Sequence, residues 1–267
     1  MDALRRFADP DRSRPDPAGV GVLPTLEALG LIAGHLFATP MIGRRRRRWG
    51  ASPSEVAAQL PGDELIPTPR WSFTHGITIH APARQVWPWI AQIGQGRGGF
   101  YSYQTLENLA GCQIHNVAEI HPEWQHPQVG QEIKLHPESA AMQIALVRPP
   151  WALVLHGAPY QSEQRDQPDQ PDQQSQPAQA AFATSTWQFA LYEPEDGTTR
   201  FLMRGRSDYS DELMNRLFFG PFPMEPIQHV MSRRMMKEIK RLAERHAERE
   251  SPAPAASRGA GHVTISP

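Results

Sequence analysis

The chain has 267 residues, a formal net charge of −1 and a mean hydropathy of −0.52. This length predicts one domain or at most two, and the balanced charge gives no electrostatic reason to expect nucleic acid as a partner. The single cysteine, Cys112, excludes an internal disulfide framework and a zinc site built from several cysteines. We interpret Cys112 as a small buried hydrophobe.

The N-terminal part of the chain divides into a leader and an apolar segment. Residues 1–18 are charged and proline-rich, which predicts a disordered leader. Residues 19–48 are apolar up to the arginine run Arg44–Arg48, and positive charge after an apolar stretch is the reverse of a signal peptide. The segment is too interrupted for a membrane span. We expect an interfacial or packing helix instead, in a cytoplasmic protein whose arginines either favour the inner, anionic membrane face or are a solvated linker.

A capped helix and a strand follow the arginines. Ser52 and Glu55 form an S-x-x-E capping box around Pro53, so a short helix is predicted to begin here. Alternating apolar residues then predict a strand over residues 71–80.

Two further short helices are predicted before the main group of strands. Apolar residues recur at helical spacing in residues 81–93, but Pro88 removes a backbone donor, so we expect a kink or a break there. Residues 100–111 predict another short helix with Gly111 as a C-cap residue.

The next part of the chain has the alternation of antiparallel strands with one covered face. Five strand candidates occur, at residues 131–136, 142–147, 151–157, 184–193 and 199–207. Residues 160–181 are rich in glutamine, aspartate and proline, which predicts a disordered loop insertion. Arg204 lies out of phase with the apolar residues of the last strand, so we expect its side chain to face solvent.

The strongest helical pattern comes last. Over residues 226–246 apolar side chains recur every three or four positions, as on an amphipathic helix. The folded domain is therefore predicted to span residues 49–247, with a disordered tail over residues 248–267.

The string "GQGRGG" satisfies G-x-G-x-x-G at Gly94, Gly96 and Gly99, and Glu119 follows at a spacing typical of a dinucleotide site. A true fingerprint needs a strand before the glycines and a helix after them. Here the preceding segment has helical periodicity and contains Pro88, which a central strand excludes. We interpret the glycines as a structural corner between two short helices.

Three strings resemble the SRPBCC superfamily of START and pollen-allergen-like proteins, and more closely its bacterial polyketide cyclase/dehydrase-like and lipid-transport-like branch. They are "ITIHAPARQVWPWIAQIGQGRGGFYSYQTLENLAG", "IHPEWQ" and "MSRRMMKEIKRLAER". The resemblance covers about residues 50–247 without the insertion. It implies an α+β helix-grip fold, in which a curved antiparallel sheet wraps around a long C-terminal helix and short helices close the grip.

The resemblance also implies an apolar cavity between the sheet and the terminal helix. The expected lining residues are Phe100, Tyr101, Tyr103, Asn108, Trp124, Ile227, Met231 and Met235. Ordinary core packing explains the methionines of the terminal helix without any ligand, so the expectation of a cavity depends on the resemblance.

Two functions follow from this expectation. The first is binding, sequestration or transport of a hydrophobic small molecule or lipid. The alternative is a cyclase- or dehydratase-type enzyme with Tyr101, Tyr103 or His115 as the acid or base. We expect no cofactor and no metal, because the histidines of residues 115–136 lack the spacing that places two imidazoles on one helical face.

Overall fold

The computed structural model describes residues 21–37, 39–157, 182–195 and 197–250. The predicted leader (1–18) and loop insertion (160–181) lie outside the described residues, as does the predicted tail from residue 251 onward.

A single antiparallel sheet forms one layer of the domain. Its six strands follow the order β1-β6-β5-β4-β3-β2. Their bounds are β1 Trp71–Ile79, β2 Glu132–Ile133, β3 Met142–Arg148, β4 Ala152–Gly157, β5 Ala183–Tyr192 and β6 Thr199–Tyr209. All the predicted strands are present, but β2 has only two residues where a strand of six was expected.

Seven α-helices accompany the sheet in the described part of the chain. They are α1 Val22–Phe37, α2 Thr39–Arg47, α3 Pro53–Ala57, α4 Ala83–Ala91, α5 Gln104–Leu109, α6 Leu213–Phe219 and α7 Met224–Glu250. The α+β helix-grip fold is confirmed: the curved sheet packs on the long C-terminal helix α7. This helix begins two residues before the predicted start and runs four residues beyond the predicted end.

The main core lies between the concave face of the sheet and the C-terminal half of α7. Phe189 and Phe201 from the sheet pack in one cluster with Met235, Ile239 and Leu242 from α7. All five are buried, and burial of each such side chain stabilises the fold by about 1.5–3 kcal/mol. The amphipathic period of α7 thus orients the helix on the sheet.

Helix α4 passes through Pro88 without a break. Of the two outcomes expected at Pro88, a kink or a break, the break is therefore wrong. The missing N–H of Pro88 would have bonded the carbonyl of Arg84, which lies at an exposed position where water can replace the bond.

The predicted capping box of α3 is confirmed. The Ser52 hydroxyl accepts from the Glu55 backbone N–H at 3.2 Å, and the Glu55 carboxylate accepts from the Ser52 N–H at 2.7 Å. Hydrogen bonding from Arg200 on β6 lowers the pKa of Glu55 to about 2. The cap therefore also attaches α3 to the outer face of the sheet.

The expectation that Arg204 faces solvent is wrong. Its side chain is buried, and its guanidinium lies 2.5 Å from a carboxylate oxygen of Asp63. It also donates to the backbone carbonyls of Glu55, Val56 and Ala58. The chain between α3 and β1 covers this face of the sheet, which the pattern of β6 alone does not reveal.

The apolar N-terminal segment forms α1 and α2, both of which contact α7. Within the arginine run, Arg46 is buried and forms an ion pair with Glu225 of α7, whereas Arg44, Arg45 and Arg48 are exposed. One arginine thus has a structural role that neither interpretation of the run included. No described helix is long and apolar enough to cross a membrane.

Candidate ligand-binding cavity

A cavity of about 380 Å³ lies between the sheet and the N-terminal half of α7. A curved sheet cannot be covered completely by one helix, so space remains where α7 begins. The sheet contributes Trp71, Phe73, Met142, Ser185, Thr186, Trp187, Gly205 and Ser207 to its lining. The helices and loops contribute Phe100, Ser102, Glu107, Leu135, Phe218, Phe219, Met224, Gln228, Met231, Ser232 and Met235.

Aromatic and methionine side chains form most of this lining. Trp187 lies between Phe100 and Phe189, with ring centroids 5.9 and 4.9 Å away. Four methionines contribute, one from β3 and three from α7, namely Met142, Met224, Met231 and Met235. Rigid aromatic walls with adaptable thioether side chains suit an apolar ligand of irregular shape.

Glu107 has the only ionisable side chain among the described lining residues. It is 8% exposed, and its Oε2 atom has no hydrogen-bond partner in the described part of the chain. Burial raises the pKa of Glu107 to about 7. The nearby Cys112 is only half-buried rather than the core residue predicted, and burial together with Glu107 raises the pKa of its thiol.

The hydroxyl group of Ser232 on α7 lies at the cavity, and a hydrogen bond with His75 of β1 holds it in place. The Oγ and Nδ1 atoms lie 2.9 Å apart, and Nε2 of His75 lies 2.8 Å from the carbonyl oxygen of Arg46. A carbonyl only accepts, so Nε2 carries the proton and Ser232 donates to Nδ1. Burial lowers the pKa of His75 to about 4, which keeps the ring neutral.

Helix α6 covers one side of the cavity. Phe218 and Phe219 contribute to the lining, yet most of this helix is exposed. The large exposed apolar side chains of this helix and of the following turn are Leu213, Met214, Leu217, Phe218 and Phe222. Helix α6 is thus short and has few buried side chains, which are features of segments that open locally.

Three of the predicted cavity residues line this cavity, and they are Phe100, Met231 and Met235. Tyr101 lies instead in the core, where its hydroxyl accepts from Gln92 Nε2 at 2.8 Å and burial raises its pKa. Tyr103 packs under α1 beside Arg234.

The remaining predicted lining residues also lie elsewhere. The Asn108 side-chain amide donates a hydrogen bond to the Ile114 carbonyl oxygen and accepts one from the Ile114 backbone N–H. Trp124 stacks on His121 with ring centroids 4.5 Å apart, and Ile227 is half-buried outside the lining.

His115, the third predicted acid–base candidate, is exposed and lines a separate groove of about 680 Å³ beside the C-terminal half of α7. The groove also contains Arg245 and His246. Among the described residues, no group of three or more histidine, cysteine, aspartate or glutamate side chains is placed to hold a metal ion.

The "GQGRGG" loop is a closed corner that positions the cavity wall. Gly94 and Gly99 exchange two backbone hydrogen bonds of 3.0 and 3.1 Å. The Asn116 side chain then accepts from the backbone N–H groups of Phe100 and Tyr101, which holds Tyr101 at a φ of +55°. A helix rather than a strand precedes the glycines, so the dinucleotide interpretation is rejected.

The sequence patterns do not mark Glu107, Ser232 or His75 as residues of a site. Glu107 sits between Leu106 and Leu109, which the apolar pattern would place inward. His75 and Ser232 are 157 positions apart, so their pairing becomes visible only when β1 and α7 meet.

No family model and no curated protein matches the chain. Solved structures that it resembles include a conserved protein from Geobacillus kaustophilus, with 9% identity over 66% of this chain and 96% of that one, at a TM-score of 0.33. The Zhui aromatase/cyclase from a Streptomyces species has 11% identity over 67% and 94%, at 0.25. The di-domain ARO/CYC BexL has 18% identity over 81% and 61%, at 0.31. These similarities carry no argument about function.

Proposed function

We propose that this protein binds an apolar small molecule or lipid in the cavity between the sheet and α7, as a carrier or a sequestering protein. The observation that carries the proposal is the lining itself, because aromatic rings and methionines surround about 380 Å³ with few polar groups. A cavity of this composition retains water poorly and gains free energy when apolar surface replaces water. The SRPBCC-like strings of the sequence agree with such a role.

The proposal is tested by titrating the protein with N-phenyl-1-naphthylamine, an apolar probe whose fluorescence rises in apolar surroundings. We expect saturable binding of one probe per chain. Met231→Trp adds bulk inside the cavity and should weaken the binding at least tenfold.

Met214→Trp is the matched control, because Met214 is exposed on α6 and does not line the cavity. It should bind the probe like the wild-type protein. Equal loss in both variants, or no binding by the wild-type protein, would overturn the proposal.

A cyclase- or dehydratase-type reaction in the same cavity is the second candidate. The observation that favours it is Glu107, because a carboxyl with a pKa of about 7 can give and take a proton near neutral pH. Glu107 replaces Tyr101, Tyr103 and His115 in this role, since none of those three lines the cavity. A poly-β-ketone substrate should turn over in the wild-type protein, and Glu107→Gln should bind it without turnover; a protein that binds it but leaves it unchanged is a carrier.

We further propose that α1 and α2 contact an anionic membrane surface. Leu23, Leu26 and Phe37 of α1 are exposed although the opposite side of the helix packs on α7. Exposed apolar side chains followed by the exposed Arg44 and Arg45 suit a surface of anionic lipid headgroups, which can attract the arginines while the apolar side chains enter the interface.

A further inference from the structure

Glu107 occupies the position on α5 where a stable helix would place a leucine. Among the six residues of α5 only Glu107 is buried, whereas Leu109 is 72% exposed. A carboxyl buried without a partner destabilises the fold, because its desolvation is not offset. The inward position of Glu107 therefore has no structural advantage that the described contacts explain.

The surroundings of Glu107 contain no charge that would compensate it. The other described lining residues are apolar or neutral, and the titratable group that interacts with it in the described part of the chain is the Cys112 thiol. Burial alone raises the pKa of its carboxyl, with no contribution from a cation. A structural ion pair is thus excluded as the reason for this acid within the described part of the chain.

Two of the five hydroxyl side chains of the described lining donate their protons to groups of the protein itself, and the other three belong to Ser185, Thr186 and Ser207. Ser102 donates to the carbonyl oxygen of Met231 at 3.2 Å, and Ser232 donates to His75. Both oxygen atoms keep lone pairs but offer no further proton. Together with the Glu107 carboxylate they give the cavity polar atoms that accept hydrogen bonds.

We propose that the cavity selects apolar alcohols or phenols, and that the hydroxyl group of the ligand donates a hydrogen bond to the carboxyl group of Glu107. This proposal rests on the proposed ligand-binding function. A hydroxyl is suited to the site because it donates to the carboxylate and also accepts from the carboxylic acid, so it pairs with Glu107 in either protonation state. An ether or a ketone can only accept, and a ligand carboxylate would meet Glu107 as a like charge.

The test measures displacement of N-phenyl-1-naphthylamine by four probes with the same ten-carbon chain: 1-decanol, decyl methyl ether, decylamine and decanoate. A hydrogen bond to a buried charged group is worth about tenfold or more in affinity. At about pH 8, where the Glu107 carboxyl is ionised, we therefore expect the wild-type protein to prefer 1-decanol to the ether by about tenfold, and to bind decanoate most weakly.

Glu107→Leu should remove the preference for the alcohol while keeping affinity for the ether, and it should not lower the melting temperature. Glu107→Gln, which keeps the side-chain size, should reduce the preference by less. Glu138→Leu is the matched control, because Glu138 is exposed and lies outside the cavity lining. It should preserve the full preference.

Equal affinity of the wild-type protein for the alcohol and the ether would overturn the role of Glu107 while leaving apolar ligand binding intact. Tighter binding of decylamine than of 1-decanol would overturn the assignment of a hydroxyl in favour of an amine. If the naphthylamine probe itself fails to bind, the proposed function fails as well, so the two failures are distinguishable.

Discussion

Arg46 of α2 and Glu225 of α7 form a buried ion pair, with Nη2 and Oε1 3.1 Å apart and side chains 2% and 4% exposed. Glu225 also accepts from Arg47 at 3.5 Å and from the Trp71 indole at 3.4 Å. One carboxylate near the start of α7 thus joins the N-terminal segment, the sheet and the helix that lines the cavity.

We predict that Glu225→Ala lowers the free energy of unfolding by about 3–5 kcal/mol, because it leaves the Arg46 guanidinium buried without its carboxylate. Urea unfolding followed by circular dichroism measures the change. Glu248→Ala on the exposed end of α7 is the control and should change stability by less than about 0.5 kcal/mol. Similar losses in both variants would show that the buried pair contributes nothing specific.

The glycine corner gives a second prediction. Gly96 and Gly99 have φ angles of +72° and +77°, so alanine is strained at both positions. A Cβ atom at Gly99 would lie 2.4 Å from Asn116 Oδ1, whereas at Gly96 nothing lies within 4 Å. Gly96→Ala should therefore cost about 1–2 kcal/mol of stability and Gly99→Ala clearly more.

Thermal unfolding of the two glycine variants measures this difference. Equal costs would contradict the account of the loop as a packed corner, since backbone strain alone would then explain both.

The order of strands and helices was largely predictable, and the chemistry of the cavity was not. Apolar periodicity gave α7 and most strands because it depends on neighbours along the chain. The pattern of β6 places Arg204 in solvent because the segment that covers it, α3 and the chain after it, lies more than a hundred residues earlier. Glu107 was hidden for a related reason: the packing of α5 on the domain, and not its own apolar pattern, decides which side faces inward.

The pH dependence of stability gives a third prediction. Burial raises the pKa of Glu107 from 4.5 to about 7, so the native state holds this proton more tightly than the unfolded chain does. The stability contributed by Glu107 is therefore fully present below pH 4.5 and is lost as the pH rises through about 7. As the pH rises through this interval, the free energy of unfolding of Glu107→Gln should increase relative to that of the wild-type protein by about 1.4 kcal/mol for each pH unit.

Urea unfolding of both proteins at about pH 5 and about pH 8 measures the gain. Glu138→Gln, a change at an exposed position, should differ from the wild-type protein by the same amount at both pH values. A constant difference for Glu107→Gln as well would mean that its carboxyl is not desolvated.

Membrane contact through α1 and α2 gives a fourth prediction. The full chain should sediment with vesicles that contain phosphatidylserine and much less with pure phosphatidylcholine, with each exposed arginine contributing about 1 kcal/mol. The triple variant Arg44→Glu, Arg45→Glu and Arg48→Glu should lose this binding.

A triple variant at the exposed arginines Arg84, Arg148 and Arg249, each changed to glutamate, carries the same net charge and is the control. It should retain binding to the anionic vesicles. Loss of binding in both triple variants would assign the effect to net charge, and unchanged sedimentation of the first variant would refute a contact through α2.

Photolabelling shows whether an apolar ligand occupies the space between the sheet and α7. A ten-carbon alcohol with a diazirine in its chain is bound, irradiated and located by fragmentation of the labelled peptides. We predict labels on Met231 and Trp187, both of which face the cavity, and their loss when unlabelled 1-decanol competes. Labels confined to the exposed side chains of α1 and α6, or labels that 1-decanol does not displace, would contradict the account.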